Sequence, residues 1–230
     1  RRYRAVNILW LCLAAFALVL AGWFYLSKDI YFAKEINIVN GTKIIFKEHK
    51  LRWIYLLSAL LILCAMVVWL HFTYPSNSFM LNLKLITLLA VLFVVNVSDV
   101  RMHIIPNKVI LAAIVLRLIY YVAELFVLGS DFWQLLKGDL LALLIVAFFF
   151  VVGVLIIKNG LGMGDIKLML VMCLFQGVSG VIGSLFISLI VAFFISIAML
   201  IMKKITRKDS LAFAPSILLG TLISVFLSGM

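Results

Sequence analysis

Long apolar runs, separated by short polar links, set the pattern of this chain. Most runs hold about 20 residues, the length at which an α-helix crosses the hydrocarbon core of a bilayer. The sixth run is short and ends just before Gly177, so we expect it to be tilted, half-buried or fused to the seventh. The eight predicted helices are 7–26, 53–72, 80–98, 108–128, 138–157, 166–176, 181–202 and 211–228.

Composition agrees with an all-α polytopic membrane protein. Hydrophobic residues make up 67% of the 230 residues, and the mean hydropathy is +1.27, which excludes a soluble globular domain. The first run, 7–26, is too long for the apolar part of a signal peptide, and no small-residue cleavage site follows it. We therefore interpret it as a spanning helix.

The net charge of +11 is explained by a membrane rather than by nucleic acid. If the helices alternate in direction, the links 27–52, 99–108, 158–167 and 203–208 share one side and hold fourteen Lys and Arg residues. The other side holds five, counting Lys84 just inside the third helix. Because cytoplasmic links are enriched in basic residues, the first side is predicted to be cytoplasmic. The N-terminal arginines argue mildly against this orientation.

The longest polar link, 27–52, contains a hairpin signal. Ile36 and Ile38 on one side, and Ile44 and Phe46 on the other, flank the pair Asn40-Gly41. Asn-Gly between apolar residues is the strongest short-range signal for a hairpin. We predict a small, basic β-hairpin at the cytoplasmic surface, either as a solvated loop or as a platform for substrate or lipid headgroups.

Two aspartates at the polar edges of the apolar runs are the candidates for chemistry. The chain has only nine acidic residues. Because placing an acid beside a lipid-facing helix costs several kcal/mol unless a partner compensates it, such an acid is a functional candidate by default. Asp99 closes the third helix, and Pro106 should keep Ile105 out of a helix. Asp165 follows the alternating glycines Gly160, Gly162 and Gly164 and is expected in the first turn of the sixth helix, where the helix dipole favours an anion.

Other charged residues fit structural roles better than catalytic ones. Arg117, near the middle of the fourth helix, should face the bundle interior and find an acceptor such as a backbone carbonyl. Glu124 lies seven residues further on the same face, so we expect a polar lock. Lys167 is expected to extend to the membrane interface, and Arg101 and His103 to belong to an ordinary cytoplasmic loop.

These motifs resemble a known family. Asp99 followed by Pro106-Asn107, and Gly162-Met163-Gly164-Asp165-Ile166-Lys167, resemble the type IV prepilin peptidases, membrane aspartic proteases of the GxGD type. Phe213-Ala214-Pro215, with Gly220 after it, looks like the closing helix of that family. The resemblance implies a six-helix catalytic core at 80–230, preceded by two helices and a basic loop at 1–79.

The resemblance also implies a reaction. Asp99 and Asp165 would share one proton, activate a water molecule and cleave after a glycine at the membrane boundary. The implied substrate is a prepilin or pseudopilin with a basic leader in the cytoplasm, and the lipid bilayer is the other partner. Gly162, Gly164, Lys167, Pro106 and Asn107 would support the motif, with no organic cofactor and no nucleic acid involved.

Cysteine usage separates this chain from the longer members of that family. Their cytoplasmic insert carries paired CxxC motifs that bind zinc, and such enzymes often N-methylate the trimmed pilin. Here Cys12, Cys64 and Cys173 all lie within apolar runs and form no CxxC, so we predict a short-form protease without metal. Methylation by this protein is in doubt.

Three alternative classes stay open at this stage. A transporter also uses intramembrane acids and glycine-broken helices, but it should show internal repeats and acids at the membrane midplane. A protease of the presenilin or signal-peptide-peptidase type pairs the glycine motif with Tyr-Asp, whereas Ser98 precedes Asp99 here. A catalytically silent assembly factor is disfavoured by the presence of both acids.

Overall fold

Seven α-helices and one 3-10 turn form the described part of the chain. The computed structural model describes residues 2–28, 41–156, 162–202 and 212–230, and no strand occurs among them, so the all-α prediction is confirmed for these residues. The 3-10 turn is Gly129–Asp131. The helices are α1 (Arg2–Lys28), α2 (Gly41–Thr73), α3 (Phe79–Met102), α4 (Asn107–Leu128), α5 (Phe132–Ile156), α6 (Met163–Ile201) and α7 (Ala214–Ser228).

The helices are those of a membrane protein. Four stretches are long and apolar enough to cross a bilayer by length and composition, and the stretch at 107–153 contains α4 and most of α5. The predicted number of eight spanning helices stays a prediction. The four stretches are Ile54–Thr73, Phe79–Val100, Asn107–Gly153 and Met163–Ile201, and the shorter apolar helices are Asn7–Gly22 and Ala214–Ser228.

A single break divides α6. Gly177 has φ 65° and ψ −168°, a conformation that only glycine adopts without strain. The predicted short segment 166–176 is therefore the first part of α6, from Met163 to the break, and it is fused to the predicted seventh segment. The ends of a broken helix leave carbonyl and N–H groups to be satisfied by neighbours.

The predicted hairpin is not confirmed. Gly41 begins α2, so Ile44 and Phe46 lie in a helix, while Ile36 and Ile38 lie outside the described residues. The physical reason is that no helix breaker follows Gly41 before Pro75, and Lys47, Glu48 and Leu51 favour helix. Helix therefore extends back from the apolar run and overrides the Asn-Gly turn signal.

The chain forms two compact units, Arg1–Val94 and Val95–Met230. In the first, α1 packs against α2, and α1 buries Leu11, Ala15 and Val19 at the four-residue spacing of one helix face. In the second, α6 packs against α4, α5 and α7. The predicted boundary between residues 79 and 80 follows the family core and stays a prediction.

Charged residues occupy the interior of the second unit. Arg117 is 0% exposed. Its Nε donates to the carbonyl of Leu174 on α6 at 2.6 Å, and its Nη1 donates to Glu124 at 2.9 Å. The expectation of an inward-facing arginine that binds a backbone carbonyl and pairs with Glu124 is confirmed.

Candidate active site

Asp99 lies in the last turn of α3, nearly buried at 5% exposure. The prediction that it closes the helix is wrong by three residues, because α3 continues to Met102. Nothing between Asp99 and Met102 breaks a helix, and the N–H of His103 still donates to the Asp99 carbonyl at 2.8 Å. His103 then turns the chain with φ 51°, a left-handed conformation typical of the residue after a helix.

The link to α4 follows the predicted course. Ile105 and Pro106 are buried and not helical, as expected for a residue before proline. Ser98 donates from its hydroxyl to the carbonyl of Ile104 at 2.8 Å, which ties the link back onto α3. Asn107 then begins α4.

The Asp99 carboxylate reaches the N-terminus of α7. The N–H of Ala214 donates to Asp99 Oδ2 at 2.9 Å. The first N–H groups of a helix have no partner within it, Pro215 has none to offer, and that of Ser216 donates to Phe213. Ala214 therefore supplies the capping contact, and the helix dipole adds to the stabilisation of an anion there.

Asp165 lies in the first turn of α6, three residues after the capping residue Gly162, and is half-buried. Its carboxylate lies over Gly162, since a Cβ on that glycine would come within 2.8 Å of Asp165 Oδ2. A Cβ on Gly164 would lie 3.1 Å from the Cβ of Ile105. The two glycines thus give room for different neighbours, one for the acid and one for the α3–α4 link. Gly160 lies outside the described residues.

The structure brings the two acids to the same region of the second compact unit. Asp165 follows Gly164, where an added Cβ would lie 3.1 Å from the Cβ of Ile105, and Ile105 belongs to the link that follows Asp99. Asp99 comes from α3 and Asp165 from α6, and both lie within the second compact unit. Two carboxylates placed in one region by different helices are the groups that paired acid and base chemistry requires.

A hydrogen bond closes the exposed edge of the site. Lys167 Nζ donates to Asn107 Oδ1 at 3.0 Å, and both side chains are exposed. Two residues predicted separately as motif-supporting are thus in direct contact, and they join α6 to the start of α4. An exposed amine at this edge agrees with the expected position of Lys167 at the interface.

Two contacts of the site were missed by the sequence analysis, that of Ala214 with Asp99 and that of Gly164 with Ile105. Pro215 was a signal for the first, because proline is favoured in the first turn of a helix and a helix N-terminus favours an anion. No local pattern signals the second. Within the described residues, no group of three or more His, Cys, Asp or Glu residues is arranged to hold a metal ion.

The fold and the site define a helical membrane protein with two neighbouring carboxylates placed by different helices. Residues 86–197 match the model of the type IV leader peptidase family, a segment that includes both Asp99 and Asp165. This match confirms the resemblance to the type IV leader peptidases seen in the two aspartate motifs. No curated protein and no solved structure gives a significant match.

Proposed function

We propose that this protein is an aspartic endopeptidase that removes the basic leader of a prepilin or pseudopilin at the cytoplasmic face of the cytoplasmic membrane. The observation that carries the proposal is the placement of Asp99 and Asp165 on either side of the contact between Ile105 and Gly164, inside the segment that matches a leader peptidase family. The excess of basic residues in one set of links supports the cytoplasmic orientation.

The surroundings of the two acids support different roles. Asp99 accepts the N–H of Ala214 at the start of α7, at 2.9 Å, and a helix N-terminus is a favourable site for an anion. No N–H or O–H among the described residues donates to the Asp165 carboxylate in a comparable way. We therefore assign Asp99 as the general base and Asp165 as the acid that carries the shared proton.

The chemistry follows from these roles. The ionised carboxylate takes a proton from water, whose oxygen adds to the carbonyl carbon of the scissile peptide bond, while the protonated acid gives its proton to the carbonyl oxygen. The gem-diol intermediate then collapses: the carbon–nitrogen bond breaks, the leaving amine takes a proton from Asp99, and a hydroxyl of the intermediate returns a proton to Asp165 as the carboxyl product forms. One water is consumed and one carboxyl and one amine are formed, with no metal in the scheme.

The alternative of an ion-coupled transporter is not favoured. A transport pathway uses acids near the bilayer midplane, whereas Asp99 lies in the last turn of α3 and Asp165 in the first turn of α6. The family match is to a peptidase. Both observations favour hydrolysis.

Cleavage of synthetic substrates tests the proposal. Detergent-solubilised protein is incubated with a panel of prepilin leader peptides that retain the start of the hydrophobic helix, and products are read by mass. The wild-type protein should release the leader, while Asp99→Asn and Asp165→Asn should release none above background. Asp131→Asn serves as the matched control, because Asp131 is an exposed acid in the 3-10 turn. Wild-type rates in either site variant would refute the assignment.

A further inference from the structure

A buried polar cluster of Arg117, Tyr121, Glu124 and Asp139 connects α4, α5 and α6. Arg117 on α4 donates from Nη2 to Asp139 Oδ2 on α5 at 2.7 Å, and from Nη1 to Glu124 on its own helix at 2.9 Å. Tyr121 also donates to Asp139 Oδ2, at 2.9 Å, and its ring lies 3.8 Å below the guanidinium carbon. The charged side chains are 1%, 2% and 7% exposed.

The third contact of Arg117 holds α6 in its last turn before the break. Arg117 Nε donates to the Leu174 carbonyl at 2.6 Å, three residues ahead of Gly177. Carbonyls in the last turn of a helical segment lose their intrahelical donors, and a side-chain donor is their substitute inside a membrane. Asp139 also borders the break, since a Cβ on Gly177 would lie 3.3 Å from Asp139 Oδ1.

A second contact holds the same segment of α6 at its other end. Lys167 donates to Asn107 at the start of α4, so α4 binds the segment near Asp165 and again near the break. The two ties are ten residues apart on α4 and seven apart on α6, about 15 Å and 10 Å of helix axis. Long side chains span the difference, and α4 runs parallel to the segment between its ties.

We propose that Arg117, with Glu124 and Asp139, is a positioning cluster that fixes the register of the first part of α6 along α4, and so places Asp165 opposite Asp99. The catalytic consequence rests on the proposed function, while the register itself does not. Guanidinium is suited to this task, because its planar set of donors reaches acceptors on three helices at once. An apolar contact would allow the helices to slide, whereas a buried network of fixed donors and acceptors specifies one arrangement.

Disulfide formation measures the register without any substrate. In a background in which Cys12, Cys64 and Cys173 are replaced by Ala, the pair Ile105→Cys and Gly164→Cys should oxidise rapidly in membranes, because a Cβ on Gly164 would lie 3.1 Å from the Cβ of Ile105. The pair Ile105→Cys and Leu168→Cys, one helical turn along α6, should oxidise slowly. With Arg117→Met added, the first rate should fall and the second should rise. Unchanged rates for both pairs would overturn the proposal.

A charge-neutral variant keeps the test valid if Arg117→Met alone does not fold. The triple variant Arg117→Met, Glu124→Gln, Asp139→Asn has no unpaired charge in the cluster. It still lacks the hydrogen bond from residue 117 to the Leu174 carbonyl. The proposal expects this triple variant to show the same shift in disulfide rates as Arg117→Met. Wild-type rates in the triple variant would show that the cluster only balances charge, and the proposal would be wrong.

Cleavage kinetics connect the register to the acids. Per folded molecule, the triple variant should lose about tenfold in kcat with KM unchanged within twofold, because small misplacements of a reacting group are costly while the substrate surface is untouched. Its pH–rate profile should shift, since the distance between the acids sets their mutual repulsion. Arg117→Lys should recover part of kcat. If the folded triple variant kept the wild-type kcat and pH–rate profile, the cluster would have no effect on the two acids.

The proposed function can fail separately from the register. Cleavage by Asp99→Asn would refute the proposed function alone, and the disulfide rates would still decide whether the cluster fixes the register.

Discussion

Two polar regions of the second compact unit differ in how their charges are balanced. Around Arg117, one cation meets two buried carboxylates and a carbonyl, and every group named there has a partner of the opposite kind. At the candidate active site, two carboxylates lie in one region with no cation beside them among the contacts described above, and one of them is half-exposed. A buried charge with its partners in place contributes to the arrangement of the helices. Like charges held together instead leave the imbalance that proton transfer uses.

The first part of α6 belongs to both regions. It carries Asp165 at its start and offers the Leu174 carbonyl to Arg117 near its end. Buried apolar residues between them, among them Leu168 and Met172 with 0% exposure, make this segment a rigid connection. The comparison therefore predicts that equivalent substitutions in the two regions have opposite consequences.

The same substitution in each region gives the largest expected contrast. Asp165→Asn should lower the cleavage rate by about a thousandfold, because the acid loses its proton exchange, while the midpoint of thermal unfolding stays equal or rises as repulsion is removed. Asp139→Asn should instead destabilise the fold by about 3 kcal/mol, because it breaks a buried ion pair. For each variant, a leader-cleavage assay measures the rate and thermal unfolding in detergent measures the stability. The comparison fails if Asp139→Asn is inactive yet as stable as the wild type.

A glycine substitution beside the acid gives the next largest effect. Gly162→Ala would place a Cβ 2.8 Å from Asp165 Oδ2, and the carboxylate, at the end of a flexible side chain, must move away. A displacement of about 1 Å at a reacting group costs about a hundredfold in rate, so cleavage should fall by that order with stability nearly unchanged.

Gly138→Ala is the matched control for that variant. Gly138 lies in α5, and an added Cβ would meet nothing within 4 Å. Because alanine favours helix, this variant should be more stable by about 0.5–1 kcal/mol and fully active. Equal losses of activity in the two glycine variants would show that the cleavage rate does not depend on the position of Asp165.

A smaller effect is expected where the motif packs against the α3–α4 link. Gly164→Ala would bring a Cβ to 3.1 Å from the Cβ of Ile105, so the link must shift by a few tenths of an ångström. Because Asp99 lies just ahead of this link, we expect about a tenfold loss of cleavage rate. Adding Ile105→Ala, which removes the outer carbons of that side chain, should recover several-fold, and no recovery would mean that the contact is not the cause.

Local patterns predicted most of the helices and singled out Asp99 and Asp165 as candidates, while the contacts that the sequence analysis missed are long-range. The apolar runs, Pro106 and Gly177 are signals within a few residues of what they determine, so α4 and the break in α6 followed from the sequence. The hairpin at Asn40-Gly41 failed because a turn signal competes with the helix that follows it. The contact of Ala214 with Asp99 joins residues 115 positions apart, a separation at which periodicity carries no information.

The smallest effect concerns the hydrogen bond between Lys167 and Asn107. Both side chains are exposed, and a hydrogen bond from an exposed lysine to a neutral amide contributes no more than an exposed ion pair does, up to about 1 kcal/mol. Lys167→Met and Asn107→Ala should each reduce cleavage by no more than about fivefold, since tenfold corresponds to about 1.4 kcal/mol. If the pair acts as one tie between α6 and α4, the double variant should lose no more than either single variant, because the second change removes a bond that is already broken. Additive losses would assign Lys167 a separate role toward substrate. The candidate active site and the region around Arg117 would then differ in function as well as in charge balance.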